Sequence, residues 1–294
     1  MNNSSTSVQH ERSGSDAALV TVVSEKFSSR FEFGKNWANF LSTFSIDKLE
    51  EAKSSLRKAL NCENLTGLKF LDIGSGSGLF SFAAYQLGAK VYSFDYDQDS
   101  VVCTLELKNK YAPNSDNWLI EHGSILDLEF IKKYGKLDIV YSWGVLHHTG
   151  NMYLAFENIS KLLNPNGKLF ISIYNDQGNT SKHWSWIKKT YNQSNYLIKW
   201  ILIIYTLFKC WGIMIFIRDL IKTGNFLTSW NNYAKKRGMS AWHDLIDWVG
   251  GYPFEVAKPE EVFDFFKIRG FSLQYLKTSG GGLGCNEFIF YKAL

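Results

Sequence analysis

Cysteine is scarce and never closely spaced: the four are Cys62, Cys103, Cys210 and Cys285, and no C-x-x-C pair occurs. That pattern excludes a small disulfide framework and a zinc knuckle, and it fits reduced thiols in a cytoplasmic protein. No three ligand-type residues fall at a recognised spacing, so no metal centre is expected, although a Mg²⁺ held jointly with substrate stays open. Charge of one sign is also lacking. The formal net charge is +4 and the basic residues are scattered, so a nucleic-acid partner is not expected. A membrane span wants roughly 20 uninterrupted apolar residues. The nearest candidate, "WILIIYTLFKCWGIMIFIR" from Trp200 to Arg218, has Lys209 in its middle and Lys199 before it. It reads as a buried helix, or as one making peripheral contact with a membrane through 200–218. Residues 1–24 are polar, lack the apolar core of a secretory signal, and read as a disordered lead-in. No internal repeat is found.

Hydrophobic residues make up 45% of the chain and charged residues 20%, enough apolar material for a large core. Aromatic content is high at 16%, and such a surplus often lines a pocket for a flat or greasy ligand. From Leu68 to Asn175 strand-like and helical patterns alternate. Strands are expected at 68–73, 90–95, 118–123, 137–143 and 168–175, with helices at 79–87, 100–110 and 152–163 between them. This alternation predicts an α/β fold, a doubly wound, mostly parallel sheet. The rhythm then breaks into a helix-like, Trp-rich stretch, and strands return only at 271–278 and 287–293 as a terminal hairpin. The division expected is docking helices over 25–66, a core over 67–178 and 263–294, and a helical insertion over 179–262 that covers the substrate.

The first strand ends in "LDIGSGSGLF", Leu71 to Phe80. A dinucleotide site wants G-x-G-x-x-G with a helix N-terminus facing pyrophosphate. Here Leu79 stands where the third glycine would, and Asp72 places an acid where pyrophosphate would be repelled. A cationic ligand such as S-adenosylmethionine, with its ammonium and sulfonium, meets no such objection. Asp95 ends the second strand about 20 residues on, where an acid can take a ribose diol.

With these blocks the chain resembles the class I S-adenosylmethionine-dependent methyltransferases. "LDIGSGSG", "VYSFDYD", "HGSILD" and "DIVYSWGVLHHTG" look like four of that family's motifs, in order and on alternating strands. The resemblance implies a seven-stranded Rossmann-like sheet and S-adenosyl-L-methionine as cofactor. It also implies roles: Gly74, Gly76 and Gly78 close on the methionyl and ribose part, Asp72 lies near the ammonium, and Asp95 accepts from the ribose. Ser124 and the amide of Ile125 would meet adenine, and the Ser142 carbonyl would meet the ammonium. Quinol O-methylases of the ubiquinone pathway are the nearest named likeness, and in them a histidine after the fourth strand borders the acceptor. His148, with His147 beside it, is thus the candidate base for an acceptor hydroxyl.

Further acceptor contacts are expected from Tyr174, Asn175 and Asp176 at the fifth strand's exit. Arg237 and Asp247 near the insertion's end, and Asn286 in the terminal hairpin, complete that set. The reaction expected is methyl transfer to a small-molecule acceptor, on an aromatic or apolar hydroxyl, with a prenylated quinol or lipid at a membrane surface as the alternative. A nicotinamide oxidoreductase and a non-catalytic binding module are the competing classes. Leu79 weighs against the first, and the intact acids Asp72 and Asp95 weigh against the second.

Overall fold

The structure is a computed structural model and describes residues 30–31, 33–34, 44–210, 212–233 and 240–293. The expected lead-in, the first docking helix and Arg237 lie outside these residues. The described chain opens with α1 (Ile46–Leu60), where Ser45 accepts from the Lys48 amide and Asn61 ends the helix in a left-handed turn.

Seven strands form one sheet in the order β3-β2-β1-β4-β5-β7-β6. They are β1 (Lys69–Ile73), β2 (Lys90–Asp95), β3 (Trp118–His122), β4 (Leu137–Trp143), β5 (Leu163–Tyr174), β6 (Phe271–Lys277) and β7 (Cys285–Lys292). The first five pair in parallel, while β7 runs antiparallel to both β5 and β6. The fifth strand begins earlier than its pattern suggests. Leu163 pairs with Leu137, and the register shifts at "NPNG" before the ladder resumes at Lys168.

The crossover helices are α2 (Leu79–Gln86), α3 (Gln98–Tyr111), the short α4 (Leu128–Lys132) and α5 (Met152–Leu162). One core layer packs Phe156, Ile159 and Phe266 on the sheet, and the other packs Leu56, Phe82 and Trp118 on its opposite face. Because the chain winds one way through β2 and β3 and the other way from β4, a crevice opens at the carboxyl ends of β1 and β4.

Between β5 and β6 the chain builds α6 (Asn179–Gln193), α7 (Tyr196–Cys210), α8 (Gly212–Thr223), α9 (Thr228–Asn231), α10 (Ala241–Gly250) and α11 (Pro259–Lys267). These helices have a core of their own, in which Trp184, Ile187, Leu202, Leu245 and Phe254 pack with Tyr174 of β5. Part of the aromatic surplus is therefore spent on holding the insertion together. Helix α11 instead returns to the sheet core through Val262 and Phe266.

Candidate active site

A cavity of ≈ 1650 Å³ occupies the crevice. Its floor is the set of strand exits, and its roof comes from α7, α8 and α10. A narrow recess beside it is lined by Gly123, Ser124, Ile125 and Thr149, and shares Gly74, Asp95 and Val145 with the main cavity.

The glycine loop forms one half. Gly74 has φ +76°, and a Cβ there would stand 2.5 Å from Val145 Cγ1, so both backbone conformation and space demand glycine. Its amide donates to the Phe94 carbonyl at 2.8 Å, and the Gly76 amide donates to Asp95 Oδ2 at 3.0 Å. Asp95 Oδ1 also accepts from the Asp97 amide at 2.9 Å, so one carboxylate ties the two strand exits together. Burial pushes the Asp95 carboxyl up to about 6, against the pull of these two amides. Each oxygen accepts one of these bonds, which leaves lone pairs for further donors.

Three members of the expected cofactor set are placed elsewhere. Asp72 does not line the cavity: its buried carboxylate accepts from Ser81 Oγ at 2.5 Å, and Ser93 and Trp118 extend the chain of bonds inward. Burial raises its pKa to about 7. Gly78 also falls outside the wall. It starts α2 in the left-handed region, and a Cβ there would meet Thr104 Cγ2 at 2.8 Å, so it serves the packing of α2 on α3. Ser142, expected to act through its backbone carbonyl, does not line the cavity; its side-chain hydroxyl donates to the Ile73 carbonyl at 3.0 Å and pins β4 to β1, while Trp143, Gly144 and Val145 supply the wall.

The two histidines share a 3-10 turn, Leu146–His148, yet differ in placement. His148 lines the cavity. Its Nδ1 lies 2.6 Å from the Pro253 carbonyl, which can only accept, so Nδ1 carries the proton and Nε2 keeps a lone pair. Burial lowers its pKa to about 3, helped by the positive charges of Lys188 and Arg30 and opposed by the Pro253 bond. His147 is fully buried behind it. The Tyr174 amide donates to His147 Nδ1 at 3.3 Å, the two rings lie 3.9 Å apart, and Nε2 has no partner among the described residues. A base facing the acceptor is therefore not what His147 is built to be.

Of the expected acceptor residues, Tyr174 and Asp247 line the cavity. Asp176 does not: its carboxylate takes the Gly178 amide at 2.8 Å and shapes the turn into α6. Asn286 sits between Cys285 and Glu287, which do line the cavity. Strand alternation turns its amide to the other face, where Nδ2 donates to Asn175 Oδ1 at 3.1 Å. Both asparagines are structural pins at the hairpin.

Several wall residues went unforeseen. Glu287 was available from the alternation that places Cys285. Arg30, Phe31 and Phe33 come from ahead of the sheet, and the Arg30 guanidinium stacks 4.2 Å over the Tyr96 ring. Lys188 is fully buried below the roof, donating to the Trp248 carbonyl with its ammonium 4.1 Å over the Trp248 ring. Burial lowers its pKa to about 7. Its place on the Trp184–Lys188–Tyr191 stripe, at helical spacing, was a readable sign of burial.

A family profile described as "Methyltransferase domain" matches residues 64–235. The chain belongs to that family. In its sheet and motif order this methyltransferase has the class I, S-adenosylmethionine-dependent architecture. It is 26% identical over 144 residues to the ubiquinone biosynthesis O-methyltransferase of Bradyrhizobium diazoefficiens, covering 49% of this chain and 51% of that one. The enzyme of the same name from Rickettsia akari is 28% identical over 166 residues, covering 53% and 62%. The chain thus spans between half and two thirds of the length of these relatives. The magnesium protoporphyrin IX methyltransferase of Synechocystis PCC 6803, solved with bound SAH, shares the fold. Its TM-score is 0.53 at 15% identity, over 93% of this chain and 100% of that one.

Proposed function

We propose that this methyltransferase moves the methyl group of S-adenosylmethionine to the hydroxyl of a small aromatic or apolar acceptor, with His148 taking the hydroxyl proton. When bound, the cofactor supplies a methyl group already activated by a sulfonium. The observation that carries the reading is the commitment of His148 Nδ1 to the Pro253 carbonyl. That bond fixes the ring and leaves an unprotonated nitrogen where the glycine-loop half of the cavity meets the insertion half.

The residues present fit the cofactor. Gly74 and Gly76 give a bare backbone, and Asp95 has acceptor capacity for a ribose diol. The recess beside Ser124 and Ile125 continues from Asp95 as an adenine pocket would. Asp72, turned into the core, no longer argues against pyrophosphate. Asp95 would suit the ribose of either nucleotide, and Leu79 in place of the third glycine is what disfavours the nicotinamide reading.

Against the acceptor, Tyr174 and Trp248 offer ring faces, and Asp247 offers a carboxylate. His148 is neutral throughout the physiological range, so it is ready to accept without first losing a proton. Its basicity is low in the free cavity, and an acceptor oxygen gaining negative charge beside it would raise it. The insertion then acts as a lid that excludes water, and a cytoplasmic location belongs to the same reading.

The test is turnover with methyl-labelled cofactor against a panel of hydroxylated aromatics, repeated with His148→Ala. A general base contributes about 10²–10⁴-fold. The variant should lose about 100-fold or more in kcat while its affinity for S-adenosylhomocysteine stays within about twofold. Full activity in the variant removes His148 as the base.

A further inference from the structure

Among the described residues, none covers the outer face of α7 and α8. Leu197, Ile201, Ile204 and Phe208 recur at helical spacing along α7, and Leu197 and Ile201 are 69% and 57% exposed. On α8, Met214 and Ile221 continue the stripe at 70% and 79% exposure. The inner face of the same helices is spoken for: Leu202 and Ile203 enter the insertion's core, while Lys209, Cys210, Ile215 and Arg218 line the cavity. Charge on this segment is one-sided. Across 179–233 there are seven Lys and Arg, all but the buried Lys188 outside the core, and the lone acid, Asp219, is buried with its carboxylate bonded to Ser229 and Arg218. Tyr196 and Trp200 meet edge to face at the start of α7, and Trp200 also meets Trp242 of α10, giving an aromatic rim.

We infer that the outer face of α7 and α8 docks in the surface of an anionic lipid bilayer. Apolar residues on one face, flanking lysines that can reach headgroups, and Trp and Tyr at the margin are what an interfacial helix requires. Neither helix is long enough to cross, at 15 and 12 residues, and the pair bends by 59° at its break. The basic bias selects anionic headgroups over a second copy of the chain, which would bring the same positive charge to the contact. Docking in this way sets the cavity wall formed by Lys209 and Arg218 next to lipid.

The experiment is flotation of the full chain with phosphatidylcholine vesicles, with and without phosphatidylglycerol, at low and high salt. The chain should float with the anionic vesicles, and less so in high salt, because the charge contribution is screened. The double variant Ile201→Glu/Ile204→Glu replaces no residue lining the cavity and should reduce the bound fraction about tenfold or more. Its affinity for S-adenosylhomocysteine, measured by calorimetry, should not change. If that affinity falls, the variant has damaged the fold, and Ile221→Glu on α8 decides in its place, with the same loss of flotation expected. Absence of flotation with either vesicle overturns the inference, as does undiminished flotation of the folded variant. A wild-type dimer in sedimentation that the variant converts to monomer also overturns it, assigning the face to a second copy. Cofactor affinity reports separately on the methyl-transfer reading, so either idea can fail without the other.

Discussion

The two halves of the cavity are built by different means. Around Gly74 the backbone itself makes the site: positive φ, amides aimed at Phe94 and Asp95, and strand exits fixed by ladder register. In the insertion half, side chains on helices make the site, and those helices are held by a core separate from the sheet layers. Each half also has a buried, ionisable group away from the chemistry, in addition to His147. Asp72 lies within the sheet and Lys188 under the roof, and burial drives both toward about 7 from opposite sides. A backbone site tolerates little change, whereas a side-chain site can be retuned for a different acceptor by substitution.

The largest effect should come from breaking the backbone half. Gly74→Val places a branched side chain where Val145 stands 2.5 Å from an ideal Cβ, at a φ that costs an L-residue roughly 1–2 kcal/mol by itself. Cofactor affinity should fall about 100-fold or more, with a lower Tm. Gly67→Val is the comparison, since φ is +79° there but, among the described residues beyond its chain neighbours, no atom lies within 4 Å of a Cβ. It should show the backbone cost alone, and equal effects at the two sites would remove the close-approach argument.

Asp95→Ala comes next. Losing the ribose acceptor and the Gly76–Asp97 tie should weaken S-adenosylhomocysteine binding about tenfold or more in calorimetry. In the wild type, affinity should also decline as pH falls through about 6, where this carboxylate takes up its proton. Affinity independent of pH between about 5 and 8 would contradict the assignment.

The smallest effects separate the two buried groups. Asp72 has a raised folded pKa, so the folded state binds more protons than the unfolded between about 4 and 7, and its contribution to stability falls as pH rises through that window. Lys188 has a lowered folded pKa, so the unfolded state binds more protons between about 7 and 10.5. Its contribution therefore rises with pH in that range. In thermal melts across pH, Asp72→Asn should flatten the acid-side slope and Lys188→Met the alkaline-side slope. A single variant that altered both would mean that the two halves do not titrate separately.

The contrast also explains what could be read in the sequence. Strand exits, the glycine loop and the position of Asp95 were legible because they follow local rules of turn geometry and strand period. Side-chain direction was harder. Asp72 carries a carboxylate at the right exit, yet its bond goes to Ser81 within the fold. His147 and His148 are adjacent in sequence, and contacts from Pro253 and Tyr174, both distant in the chain, distinguish them. Asp176, Asn175 and Asn286 looked like a ligand cluster because turn-forming residues and ligand-binding residues share a chemistry. Arg30 was invisible to motif reasoning, since it reaches Tyr96 from far away in sequence.

The central claim is that the Gly74–Asp95 half of the cavity receives a sulfonium nucleoside. Calorimetric titration of the full chain with S-adenosylhomocysteine and, separately, with a nicotinamide dinucleotide tests it most directly. Saturable one-to-one binding of the first and no heat from the second is the predicted result. Binding of the dinucleotide with none of the homocysteine compound would contradict it.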